Sequence, residues 1–187
     1  LKKLDTSTSL VDLRDNFYKL EKLYNSDPVF HLDSYKFFYN IDPDFAKNIA
    51  FDYMNNYRES PILLKAISFI ADEIADYETE SIIYRRLIKI QPENIQAYRD
   101  LAFTYVKLGK YNLASFMYNY IIKSKKNIDK IPDFQKIIYA EASNLLLNNF
   151  FPNIFSSETI KQLKSFYSMD KWQRFGSDYR IIFDWND

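Results

Sequence analysis

Residues 95–123 read IQAYRDLAFTYVKLGKYNLASFMYNYIIK, and their spacing decides the fold. Tyr98, Leu101, Ala102 and Tyr105 recur at helical steps, and beyond Gly109 the pattern resumes with Ala114, Tyr118 and Ile121. Such stripes belong to two helices, each with one face to bury. Gly109 can take the left-handed conformation that ends a helix, and Ala114 has no bulk, so the two helices can approach closely across a short turn.

Sliding the chain against itself extends this unit toward the N-terminus. A shift of 34 residues places Tyr77 on Tyr111, Ser81 on Ser115, Ile82 on Phe116, Ile83 on Met117, Tyr84 on Tyr118, Leu87 on Ile121, Ile88 on Ile122 and Lys89 on Lys123. It also places Lys65 on Arg99, Ile67 on Leu101 and Phe69 on Phe103. Large, small and charged types keep their order across two helices, which is the signature of a structural repeat. Asp27–Pro28, Asp42–Pro43 and Ser60–Pro61 each put an N-cap oxygen ahead of a proline at the first helical position, where its missing N–H costs nothing. Ser9 caps an earlier helix, Leu10 to Tyr24, whose stripe is Leu10, Leu13, Phe17, Leu20 and Tyr24. Starts so closely spaced predict antiparallel helices of about 12 to 15 residues.

The period, the turn and the residue types resemble the tetratricopeptide repeat family. Tyr98 stands at its large aromatic position, Leu101 and Ala102 at its Leu–small pair, Tyr105 at the next aromatic and Gly109 with Tyr111 at its turn. Ala114 matches its small residue, Tyr118 the second-helix aromatic and Pro92 the proline that closes the preceding unit. The best units are 61–94 and 95–128, with a degenerate one at 27–60 carrying Ala46 and Phe37. In 61–94, Ala75 replaces the favoured Gly, and Glu80 at the close-contact position is expected either to splay the pair or to sit at its edge. The resemblance implies an all-α fold, a right-handed superhelical array of antiparallel helix pairs over residues 1–170.

After Lys123 the period fails. A helix starting near Asp133, with Ile137, Ile138, Ala142, Leu145 and Leu146, and another over Thr159–Tyr167 are expected to cap the array across 133–167. In Asp178–Trp185, Tyr179, Ile181, Phe183 and Trp185 alternate with Arg180, Ile182 and Asp184, so 171–187 is expected to be a linker and short β-strand opening a β domain.

Composition narrows function. Lys plus Arg is 25 and Asp plus Glu is 25, so the basic excess of a nucleic-acid partner is missing; that balance and the 34-residue period also disfavour a helical repeat that reads RNA. With Cys 0 and His 1, disulfides, thiolate chemistry and multi-ligand zinc sites are excluded, and with Gly 2 so are glycine-rich phosphate loops. No cofactor or metal is expected. Asn, Lys, Asp or Glu interrupts every apolar run short of the roughly 18 residues of a membrane span.

The resemblance further implies that the first helices of successive units line a concave groove. His31, Lys65 and Arg99 form one column at 34-residue spacing, and Tyr35, Phe69 and Phe103 a second. A basic column beside an aromatic one suits an extended peptide with acidic and apolar side chains. The blander alternative packs the aromatics between units and leaves the cations solvated. The family's clamp for a terminal carboxylate does not carry over, because Phe69 and Phe103 occupy positions where it needs Asn. Asp72, Glu73 and Asp76 read as a solvated acidic face, and His31 has no catalytic partner in a motif. The expected protein is a non-catalytic protein-interaction or scaffolding module with a protein or peptide partner. The competing reading is the helical domain of a larger enzyme whose catalytic groups lie outside these residues; a closed apolar cavity would favour it, an open groove the module.

Overall fold

The computed structural model describes residues 9–124 and 133–150. Among these residues every regular element is helical: α1 (Leu10–Tyr24), α2 (Pro28–Tyr39), α3 (Pro43–Asn56), α4 (Pro61–Glu73), α5 (Tyr77–Ile90), α6 (Ile95–Lys107), α7 (Tyr111–Lys123) and α8 (Phe134–Leu145). The expected helix over 159–167 and the strand near 179–185 lie outside the described residues.

The helix starts follow from their caps. Ser9, Asp27, Asp42 and Ser60 accept hydrogen bonds from the backbone N–H groups of Asp12, Val29, Phe45 and Leu63, and Pro28, Pro43 and Pro61 open their helices. Asp76 and Asn94 cap α5 and α6 in the same way without a proline. Each such cap contributes about 1 kcal/mol.

The chain divides into two compact units, Leu1–Lys110 and Tyr111–Asp187. The boundary falls between the two helices of the stretch quoted first. In the first unit α2 packs on α3, α4 on α5 and α5 on α6, while α2 also meets α4 and α3 meets α5. Each hairpin therefore stacks on the next through like helices, as expected of a helical repeat. Close approach rests on small side chains: Ala46 and Ala50 of α3, Ala71 of α4 and Ala97 and Ala102 of α6 are wholly buried among Leu64, Ile67, Ile83, Leu87 and Leu101.

Helix α1 closes the N-terminal end with aromatic rings. Phe17 stacks on Phe30 at 5.5 Å and meets Phe38 and Phe45 edge-on at 5.9 and 5.3 Å. Phe38 and Phe45 touch edge-on at 4.8 Å. Arrangements of this kind add about 0.5 to 1.5 kcal/mol per pair beyond their buried area. The Arg14 guanidinium lies 5.3 Å from the Phe45 ring and donates from Nε to Asp42 at 2.6 Å, so the α3 cap also holds α1.

In the second unit α7 packs on α8 through Ala114, Tyr118, Ile121, Phe134 and Ile138, all buried. The start expected near Asp133 is present, although Asp133 makes no side-chain cap and takes a positive φ of 59°. A π-helical turn, Leu146–Phe150, continues α8.

Two helix ends repeat the same closure. The N–H of Ala75 bonds the Asp72 carbonyl at 3.0 Å and that of Asp76 bonds Ala71 at 2.8 Å; Gly109 to Val106 and Lys110 to Tyr105 reproduce both distances 34 residues on. Both turn residues are left-handed, Ala75 at φ 60° and Gly109 at φ 68°. Only glycine takes this conformation without a steric penalty, and a Cβ added at Gly109 would meet nothing within 4 Å, so backbone strain alone sets the cost there. Ala75→Gly should stabilise by about 0.5 to 1 kcal/mol and Gly109→Ala should destabilise by a similar amount, both read as shifts in thermal midpoint. Ala114→Leu, which overfills a wholly buried position, should cost about 1 to 3 kcal/mol.

Candidate functional site

The first helices α2, α4 and α6 carry the two columns, and the structure separates their members by depth. Phe69 is 68% exposed and Phe103 50%, although Ile67, Ser68 and Ala71 beside the one, and Ala102, Thr104 and Tyr105 beside the other, are buried. Lys65 and Arg99 are half-buried. His31 and Tyr35 lie inside. Helix α1 covers His31: its Nδ1 is 3.1 Å from the Asp27 carbonyl, and its Nε2 lies 3.8 Å from Glu21 of α1. Tyr35 donates to Asp76 at 2.8 Å. Burial first, and the Asp76 charge next, hold the Tyr35 hydroxyl far above its ordinary range.

The three acids that read as a solvated face have separate buried or paired roles. Asp72 pairs with Lys107 of α6, and Glu73 with Lys36 of α2. Asp76 is buried, accepts from the N–H of Thr79 at 3.2 Å and its hydroxyl at 2.7 Å, and receives the Tyr35 proton. Lys110 bonds Glu78 at 2.9 Å. On the opposite row Arg86 of α5 donates to the Met54 carbonyl and, at 3.3 Å, to Asn55 of α3. These links join residues 31 to 41 positions apart, so polar side chains lace one hairpin to the next.

Lys107 is the residue at this surface that the sequence columns missed. Its ammonium lies 4.8 Å from the Phe103 ring and 4.8 Å from the Tyr77 ring while pairing with Asp72. The signal was present as opposite charges about one repeat apart, Lys36 with Glu73 and Asp72 with Lys107. Beneath it Glu80 is 4% exposed, not at an edge, and its Oε2 has no hydrogen-bond partner. Burial pushes the Glu80 carboxyl up to about 7; Lys107 opposes the shift, and Asp72 and Asp100 add to it.

A depression beside α4 is lined by one loop, Asn56–Ser60, and is open to solvent. Among the described residues no cluster of acidic or His side chains is arranged to hold a metal ion, and no helix is long and apolar enough to cross a membrane. No protein-family model matches the chain, and no curated protein matches it significantly. Tyr35→Phe removes a donor from the buried Asp76 carboxylate and should cost about 1.5 to 3 kcal/mol in chemical denaturation.

Proposed function

We propose that the chain is a tetratricopeptide-like, non-catalytic interaction module that binds an extended peptide or partner segment along α4 and α6. The observation that carries this reading is the pair Phe69 and Phe103. They stand 34 residues apart on like helices and are turned to solvent while neighbouring apolar residues are buried. A ring left in water with no packing role is favourable to cover, and two rings at repeat spacing offer successive sites to alternate side chains of an extended ligand. Ile62, 80% exposed on α4, extends the apolar strip. Lys65 and Arg99 at its side, and Lys107 at its end, suit acidic side chains between the apolar ones. His31 and Tyr35 belong to the interior support of this strip.

Peptides selected from a random extended library against the wild-type chain test the reading. Phe69→Ala with Phe103→Ala should weaken their binding at least tenfold, about 1.4 kcal/mol, with the thermal midpoint nearly unchanged because both rings are exposed. Equal binding by the double variant would place the interaction surface elsewhere.

A further inference from the structure

Glu80 sits in the first turn of α5, buried between α4 and α6, and its hydrogen-bonding possibilities are fixed by its neighbours. Thr104 of α6 is its hydrogen-bonding neighbour, but the Thr104 hydroxyl already donates to the Asp100 carbonyl at 2.9 Å. A hydroxyl has one proton to give, so toward Glu80 it can only accept. A neutral Glu80 completes the set: its O–H donates to Thr104, which donates to Asp100. An ionised Glu80 has two acceptor oxygens, one of them already orphaned, and must draw on a cation.

The charged groups acting on Glu80 are Lys107 and Asp100 of α6 and Asp72 of α4; Tyr84 of its own helix also senses its charge. Asp44, Lys47 and Asp52 of α3, the third helix packed on α5, are not among them. The one cation, Lys107, is shared with Asp72 and with the faces of Phe103 and Tyr77.

We propose that Glu80 is a proton-operated latch between α5 and α6: neutral, it closes the chain to Thr104 and Asp100; ionised, it draws Lys107 off the Phe103 and Tyr77 rings and alters the end of the apolar strip. The consequence for ligand binding rests on the function proposed above, whereas the latch is tested on the unliganded chain. Its carboxyl value of about 7 lies above the ordinary 4.5, so the folded chain keeps this proton where the unfolded chain has lost it. The Glu80 contribution to stability is thus full below pH 4.5 and lost as pH rises through 7.

Carbon-13 NMR of the Glu80 carboxyl should give a midpoint near 7, and the Phe103 and Tyr77 ring resonances should shift with the same midpoint. Glu80→Gln, which keeps a donor for Thr104, should gain several degrees in thermal midpoint over wild type between pH 5 and pH 8. Lys107→Met should raise the Glu80 midpoint. A Glu80 titration near 4.5, or a difference between Glu80→Gln and wild type that is constant from pH 5 to 8, would overturn the latch. Ring resonances that stay fixed while Glu80 titrates, or a midpoint that Lys107→Met leaves unmoved, would overturn the role of Lys107.

Discussion

The first unit depends on one buried carboxylate. Asp76 stands where α4 has ended and α5 begins, and it must be desolvated because α2 and α4 close over it. A buried carboxylate is tolerable only when its oxygens are filled by donors. Thr79 supplies two from the first turn of α5, and Tyr35 supplies the third from α2, a full hairpin earlier. The same contact starts one helix, fixes the rotation of another and sets how far one hairpin slides on the next. Tyr35 serves that junction and so is withdrawn from the surface that Phe69 and Phe103 share.

Around this point two kinds of link repeat at about the same interval. The turns after α4 and α6 close through the same pair of backbone bonds, at the same lengths, with a left-handed residue in each. Ion pairs join α2 to α4 and α4 to α6 on one row, while Arg86 joins α5 to α3 on the other. Exposed pairs of this kind contribute little individually. Their value is register: they penalise a hairpin that slips along its neighbour. The apolar surface left over, on α4 and α6, is then held on a stiff backing.

Much of this was legible because it is local. Asp27, Asp42 and Ser60 ahead of prolines announced three helix starts, and Gly109 announced the left-handed turn. The 34-residue spacing brought Phe69 and Phe103 to like positions. What was not legible depends on partners remote in sequence. His31 is buried because α1, which lies outside the periodic frame, folds over it. Glu80 is buried because Ser68, Ala71 and Ala102 nearby are small enough to let the helices close over a carboxyl. Ala75 gave no glycine signal, yet the turn forces it left-handed. Asp72, Glu73 and Asp76 are consecutive enough to look like one acidic face, but each answers a different helix.

The central claim is that hairpins stack through like helices about one repeat apart. Zero-length carbodiimide coupling followed by peptide mass spectrometry tests it directly, because the reagent joins a lysine only to a carboxylate in contact with it. The stacking described here predicts three major cross-links in the monomer: Lys36 with Glu73, Lys107 with Asp72, and Lys110 with Glu78. Dominant cross-links in another register, with these three missing, would contradict it.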